Sequence, residues 1–300
     1  MKKIVVVGSI NMDVVIRVPH IPAVGETVLA SGLSLFGGGK GANQAIAAAR
    51  LGGNVSMIGR VGDDAYGKRL INALTESGVN VAGVEFDPES PTGTAYIYVS
   101  YRGENNIVVN PGANSKVDRE QVKRYLHLFE GADYCIVQLE IPIETVDYVI
   151  GLCKEKNIKV MLNPAPAHTI SDDALKDLYM MLPNETELTM LGANSGTLEK
   201  MAEDLYSKGV KNVLVTLGEK GCMLVNHEGI KRFPAPPFSP VDTTAAGDSF
   251  VAGITIGLSE GMDLERAIKF ASYAAGITIS REGAQASLPT RQEVDSYFLK

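Results

Sequence analysis

The sequence predicts an α/β protein: a central, mainly parallel sheet with helices on both faces, a three-layer sandwich, carrying a small second β-sheet as a lid. Two observations predict the main body. Short β-branched runs alternate with helical stretches along most of the 300 residues. The runs are apolar throughout, as strands buried on both faces must be. A third observation predicts the lid: two groups of short strands, at about 13–36 and 84–110, have no helix between their members. The chain reads as one domain, 1–300, with the lid built from two separate pieces.

Taken in order, residues 4–8 are a buried first strand ending in glycine, and Asn11 and Asp13 fall just beyond it, where open α/β sheets place ligands. Residues 14–18 and 27–35 alternate and are separated by Pro19, Pro22 and Gly25, so they read as lid strands. The glycine run 37–41 leads into an alanine-rich helix at 42–51, closed by Gly52 and Gly53. A second core strand at 55–58 and a helix at 63–77 follow. Strands at 84–86, 94–100 and 106–109 are joined by polar turns and complete the lid. Strand–helix alternation then returns, with strands at 133–138, 159–162, 179–182 and 213–216 and helices at 143–156, 185–191 and 197–208. A hairpin at 223–226 and 230–233 precedes three last helices, one after Ala246, then 264–279 and 291–299.

Composition narrows the function classes. Hydrophobic content of 45% and charged content of 21% suit a globular enzyme. A net charge of -7 with no basic cluster argues against nucleic acid or an anionic membrane as the main partner. The first residues resemble a signal peptide only superficially, because Gly8 and Ser9 interrupt a short apolar run and Asn11 and Asp13 follow at once. Cys135, Cys153 and Cys222 are odd in number and widely spaced, with no CxxC pair. The four histidines (His20, His127, His168, His227) lack metal-ligand spacing. These features point to a cytoplasmic protein.

Several stretches carry chemistry. In 241–253, Asp242 and Asp248 flank the small-residue turn Ala245, Ala246, Gly247, and an apolar helical run follows. Unpaired N–H groups at such a helix start form an anion site. Asp248 there reads as a base beside a bound phosphate, or else as an ordinary first-turn acid. The run 37–41 fails as a P-loop, because Gly41 follows Lys40 and Leu35 stands five before it. It fails as a dinucleotide fingerprint, because only Gly8 follows the first strand. It remains a loop that backbone or ligand can approach closely, with Lys40 and Asn43 able to bond a polyhydroxylated ligand, or a flexible loop alone. Asn11 and Asp13, two apart, point the same way if extended, and Glu140 also follows a strand. Asn184 and Glu187 have capping-box spacing, the alternative being that Glu187 acts through water on a magnesium–phosphate unit. Residues 216–221 suit a backbone approaching a nucleotide, or a turn. The loop 283–287 offers oxygens suited to a hard cation.

GSINMD at 8–13, GGGKGANQA at 37–45, NETE at 184–187, TLGEKG at 216–221, DTTAAGDSF at 242–250 and REGAQAS at 281–287 together resemble, in order, the ribokinase-like (PfkB) carbohydrate kinase family, and within it the ribokinases. The resemblance covers essentially the whole chain, and the 37–45 and 242–250 stretches are its most specific parts. It implies ATP-dependent phosphorylation of the 5-hydroxyl of D-ribose. Asp248 would be the base, with Ala245, Ala246 and Gly247 as the anion hole. Asn11, Asp13, Gly39, Lys40, Gly41, Ala42, Asn43 and Glu140 would hold the sugar. Asn184, Thr216, Leu217, Gly218, Glu219, Lys220, Gly221 and Ser272 would border the nucleotide, and Glu187 would support Mg2+. Asp242, Thr244, Thr278, Arg281, Gly283 and Ser287 would surround K+, several through carbonyls. The resemblance also implies a homodimer in which two lids pair. Ser272 departs from the Asn or His common there, Ser249 replaces a common Thr, and Thr244 suffices if only its carbonyl is used. The competing readings are a sister kinase for deoxyribose, another sugar or a nucleoside, and a non-catalytic binding regulator. A dinucleotide oxidoreductase lacks its fingerprint.

Overall fold

The computed structural model describes residues 3–191 and 196–299. In chain order the strands are β1 (Lys3–Val7), β2 (Asn11–Val18), β3 (Gly32–Gly38), β4 (Asn54–Gly62), β5 (Asn80–Asp87), β6 (Gly93–Ser100), β7 (Asn105–Asn110), β8 (Ala132–Gln138), β9 (Lys159–Asn163), β10 (Met180–Met181), β11 (Val213–Thr216), β12 (Cys222–Asn226) and β13 (Gly229–Phe233). The helices are α1 (Lys40–Arg50), α2 (Ala65–Glu76), α3 (Arg119–Arg124), α4 (Ile143–Glu155), α5 (Asp172–Lys176), α6 (Glu185–Leu191), α7 (Leu198–Ser207), α8 (Ala246–Ser259), α9 (Leu264–Ile279) and α10 (Arg291–Phe298).

Nine strands form the main sheet in the order β13-β12-β11-β10-β9-β8-β1-β4-β5. It is parallel except for β12 and β13, which return as an antiparallel hairpin on one edge. Strand β1 lies between β4 and β8, with Ile4 opposite both Val55 and Tyr134. Its period of two sends Ile4 and Val6 into one core with α1, α8 and α9, and Val5 and Val7 into another with α4 and α7. Two apolar faces on one strand explain why its sequence does not alternate. Helix α8 is buried on nearly every side, which accounts for its run of small and apolar residues.

The second sheet has the order β3-β2-β6-β7. Asp13 on β2 stands opposite Phe36 on β3 and Ala95 on β6. Met12 and Val14, on the other face, pack into the main core and anchor the lid.

Two expectations are corrected, and two short helices are added. Residues 84–86 lie in β5, which pairs in parallel with β4 at the edge of the main sheet and not in the lid. The intervening α2 makes β4–α2–β5 a crossover unit, and the weakly apolar start of β5 at Asn80 hid it. The strand placed at 27–35 begins only at Gly32 and runs on through Gly38, because its partner in β2 pairs Asn11 with Gly38 at one end and Arg17 with Gly32 at the other. Part of the glycine run is therefore strand. The short α3 and α5 were not expected; each starts at a capping side chain, Asp118 and Ser171. Among the described residues no helix is long and apolar enough to cross a membrane.

Candidate active site

The functional side chains gather along the carboxyl ends of the parallel strands, where α1, α6 and α8 begin. Asp248 is in the first turn of α8 and buried. Asn43 Nδ2 donates to its Oδ2 at 3.0 Å, and Gln44 Nε2 to its Oδ1 at 2.9 Å. Burial raises the Asp248 carboxyl above its ordinary range, and Glu140 adds to this, while Lys40 and the two amides oppose it.

Lys40 opens α1. Burial alone would lower its pKa, but Asp248, Glu140, Glu187 and Asp13 outweigh that and raise it, so it stays an ammonium. Asp13 is pushed up to about 7, by burial first and then by Glu140 and Asp248. Glu187 is raised by burial.

Hydrogen bonds tie residues 8–13 and 37–41 to each other and to Glu140. Ser9 Oγ donates to Glu140 Oε2 at 2.5 Å, and the Lys40 amide donates to the same oxygen at 3.1 Å. Glu140 thus caps the positive end of α1 through one oxygen. The Ala42 amide donates to Ser9 O at 2.9 Å. Gly39 has φ of 86°, and a Cβ there would stand 2.6 Å from the Asn11 amide nitrogen. No other residue fits, which explains the glycine. Asn114, which the sequence did not single out, donates to Asn11 Oδ1 at 2.6 Å and turns the Asn11 NH2 the other way.

A cleft of ≈ 370 Å³ opens beside Lys40 and Asp248. Lys40, Asn184, Glu187, Thr216, Gly218, Ala245, Gly247 and Asp248 line it, with Asn163 and Thr243, which the sequence reading passed over. Ala245 has φ 62° and ψ 8°, a left-handed conformation for a residue with a Cβ, and turns the chain sharply into α8. The Gly247 and Asp248 amides, in the first turn, have no helical acceptor. The Ala246 amide instead turns back to Thr243 O at 3.3 Å.

Asn184 and Glu187 form the reciprocal capping box: the Glu187 amide donates to Asn184 Oδ1 at 2.7 Å, and the Asn184 amide to Glu187 Oε2 at 2.9 Å. Gly218 faces open space with φ 57°, whereas a Cβ on Gly221 would meet Phe233 O at 1.9 Å, so Gly221 serves packing against β13. Leu217 is buried, and Glu219 and Lys220 are exposed outside the cleft lining. Ser272 lies on α9 with its hydroxyl donating to Ile268 O, also outside the lining.

Behind the α8 turn, Asp242 Oδ1 accepts from the amide and hydroxyl of Thr244, and its Oδ2 accepts the Gly283 amide at 2.9 Å. Asp242 and residues 278–283 are thereby one unit, since the Asp242 amide donates to Ile279 O. Arg281 spends its guanidinium on Glu293, Thr278 Oγ1 donates to Ala274 O, and Ser287 Oγ to Ala284 O. Their carbonyls are what they can offer a cation.

The sequence profile of the pfkB family carbohydrate kinases matches residues 1–291. A ribokinase of Haemophilus influenzae is 39% identical over 300 residues, covering 97% of this chain and 97% of that protein. A deoxyribokinase of Salmonella typhi is 34% identical over 307 residues, covering 98% of each. Among solved structures, a ribokinase of Arabidopsis thaliana complexed with ribose and ATP superposes with a TM-score of 0.91 at 32% identity, over 99% of each chain.

Proposed function

The chain belongs to the pfkB family of carbohydrate kinases, and from that premise we propose that it transfers the γ-phosphoryl group of ATP to the 5-hydroxyl of D-ribose, giving ribose 5-phosphate and ADP. The observation that carries the reading is one arrangement: a buried carboxylate, Asp248, beside unpaired first-turn amides of α8, at the meeting of a polar pocket and an open cleft. Ribokinases at high coverage support the acceptor. The deoxyribokinase relative makes deoxyribose the acceptor to exclude.

Asp248 accepts one amide on each oxygen and keeps lone pairs for the sugar hydroxyl. It takes the hydroxyl proton as the oxygen attacks phosphorus. The first-turn amides of α8 and the turn 245–247 face the charge on the transferring group, fixed dipoles that need no reorganisation. Lys40 supplies positive charge beside both reactants. Asp13, Asn11, Asn43 and Glu140 bond the sugar hydroxyls. With Gly39, Gly41 and Ala42 they form the floor under it. The nucleotide lies along Asn184, Thr216 and the 216–221 turn, reaching toward Ser272.

The four carboxylates around Lys40 disfavour a bare triphosphate, so ATP is expected with Mg2+ offsetting its charge. Among the described residues no group of three or more His, Cys, Asp or Glu could hold a metal by itself. Glu187, which faces the cleft, would help hold an Mg2+ that arrives with ATP and offsets its charge. The oxygens of Asp242, Thr244, Thr278, Arg281, Gly283 and Ser287 suit K+, a hard cation. K+ there would stiffen the turn into α8. Replacing K+ by a bulky organic cation is expected to lower turnover; unchanged turnover would remove K+ from the account.

The lid face that carries Asp13 also carries Phe36, Ile107 and Val109, all exposed. We assign this apolar face to a homodimer in which two lids pair. Ile107→Lys is expected to convert a dimer to a monomer in sedimentation; a monomeric wild type at the same concentration rejects the assignment. The three described cysteines are free and buried, in keeping with cytoplasmic ribose metabolism.

The substrate assignment is tested by ADP production with ATP, Mg2+ and K+, scanning ribose, deoxyribose, fructose and adenosine in parallel. Preference for ribose is expected. Preference for another acceptor overturns ribose but keeps the kinase. Sugar binding without turnover leaves a regulator.

A further inference from the structure

Asp248 is held by a chain of amides whose direction can be read from its ends. Leu182 O can only accept, so Asn163, bonded to it at 3.1 Å, presents Nδ2 there. Asn163 then presents Oδ1 to Gln44, whose Nε2 donates to it at 3.2 Å. The same Nε2 donates to Asp248 Oδ1 at 2.9 Å. On its other side Gln44 Oε1 accepts Gln138 Nε2 at 2.6 Å. An amide's shape alone does not tell its oxygen from its nitrogen. Here a backbone carbonyl at one end and a carboxylate at the other leave one consistent polarity.

Every member of the chain is buried. Gln138 sits in a slot that only glycine at position 8 leaves open, since a Cβ on Gly8 would fall 1.9 Å from Gln138 Oε1. That oxygen has no partner of its own. A buried orphan acceptor costs stability. What Gln138 contributes here is its nitrogen, which holds Gln44.

We infer that Gln44 is a positioning residue for phosphoryl transfer: its amide, locked in direction by Asn163 and Gln138, fixes the rotation of the Asp248 carboxylate by donating to one of its oxygens. The inference rests on the reading of Asp248 as the base. Other charged groups also face Asp248: Lys40 from α1, Glu140 after β8, Glu187 from α6 and Asp13 from β2. Lys40 supplies charge from a long flexible stem. Gln44 supplies a short donor in one fixed direction, which leaves the remaining lone pairs aimed at the sugar.

The test is the pH profile of kcat/KM for ribose in wild type, Gln44→Met, Gln44→Glu and Asp248→Asn. Methionine keeps the volume and removes the donor. The acid limb is expected to move up by about one pH unit, roughly a tenfold loss below it, with the KM for ATP unchanged. Glutamate is isosteric and would share a proton with Asp248, so the limb moves further. A carbon-13 titration of the Asp248 carboxyl in the free protein reads the same shift without turnover, and serves if one variant folds poorly. An unmoved limb and an unmoved carboxyl titration in either folded variant overturn the role of Gln44. Turnover retained by Asp248→Asn overturns the base assignment instead.

Discussion

Asn in place of Asp248 is expected to lower kcat by about 10²–10⁴-fold, the range a general base contributes, with sugar binding and fold retained. The loss falls on kcat because the hydroxyl proton moves only as the phosphoryl group transfers. Stability should change little, and the sign follows from the site. Burial holds the Asp248 carboxyl above its ordinary range, so the native state keeps that proton to higher pH than the unfolded chain does. Stability then falls as pH rises through the interval between the unfolded and folded values. Asn removes that fall. Against this, its single acceptor oxygen must serve two donors, Asn43 and Gln44, and its NH2 is turned against one of them. The two effects oppose each other, so thermal melting near neutral pH should stay close to wild type. A variant that melts normally, binds ribose and still turns over within tenfold of wild type would sink the assignment. The proposed base thus sits in a site whose burial disfavours its charge, a stability–function compromise.

The sequence displayed some of this and hid the rest for physical reasons. The turn before α8, the glycines at 37–41 and the polar residues after strands were legible because their backbone demands are local. Gly39 needs positive φ and close approach, and a short-range pattern records that. The capping box of Asn184 and Glu187 was legible for the same reason. Gln44, Gln138 and Asn163 were not. Gln44 stood inside the quoted GGGKGANQA stretch without a role, because its partners lie 94, 119 and 204 positions away. Only the sheet order, which sets β8 and β9 side by side, brings those amides together. In the fold, the hydrophobic pattern found the main strands but placed 84–86 in the lid. Neighbourhood in sequence and membership of a sheet are different facts, and the parallel pairing of β5 with β4 is a tertiary one.

Gly247→Ala is expected to separate fold from chemistry most sharply. Gly247 is in the first turn of α8 and lines the cleft, and a Cβ built there meets no atom within 4 Å. Its φ lies outside the left-handed region, so alanine is allowed by the backbone. Alanine in a helix is favoured over glycine by roughly 0.5–1 kcal/mol, and the variant should melt at or above the wild-type temperature. The methyl group, however, projects into the space beside the first-turn amides. A phosphoryl oxygen bonded to those amides must sit about 2.7–3.1 Å from nitrogen, and the methyl denies it that approach. A displacement of about 1 Å costs about a hundredfold in rate, so kcat should drop by at least about that factor, with ribose affinity unchanged. Gly151→Ala is the control. Gly151 is on α4, also has nothing within 4 Å of its Cβ, and does not line the cleft. It should show the same gain in stability with full activity. If both alanine variants keep full turnover, the charge on the transferring group is stabilised somewhere other than the start of α8. If both lose it, the loss reflects helix rigidity and not obstruction. Only the split outcome, a stable and inactive Gly247→Ala beside a stable and active Gly151→Ala, places the phosphoryl group over the turn.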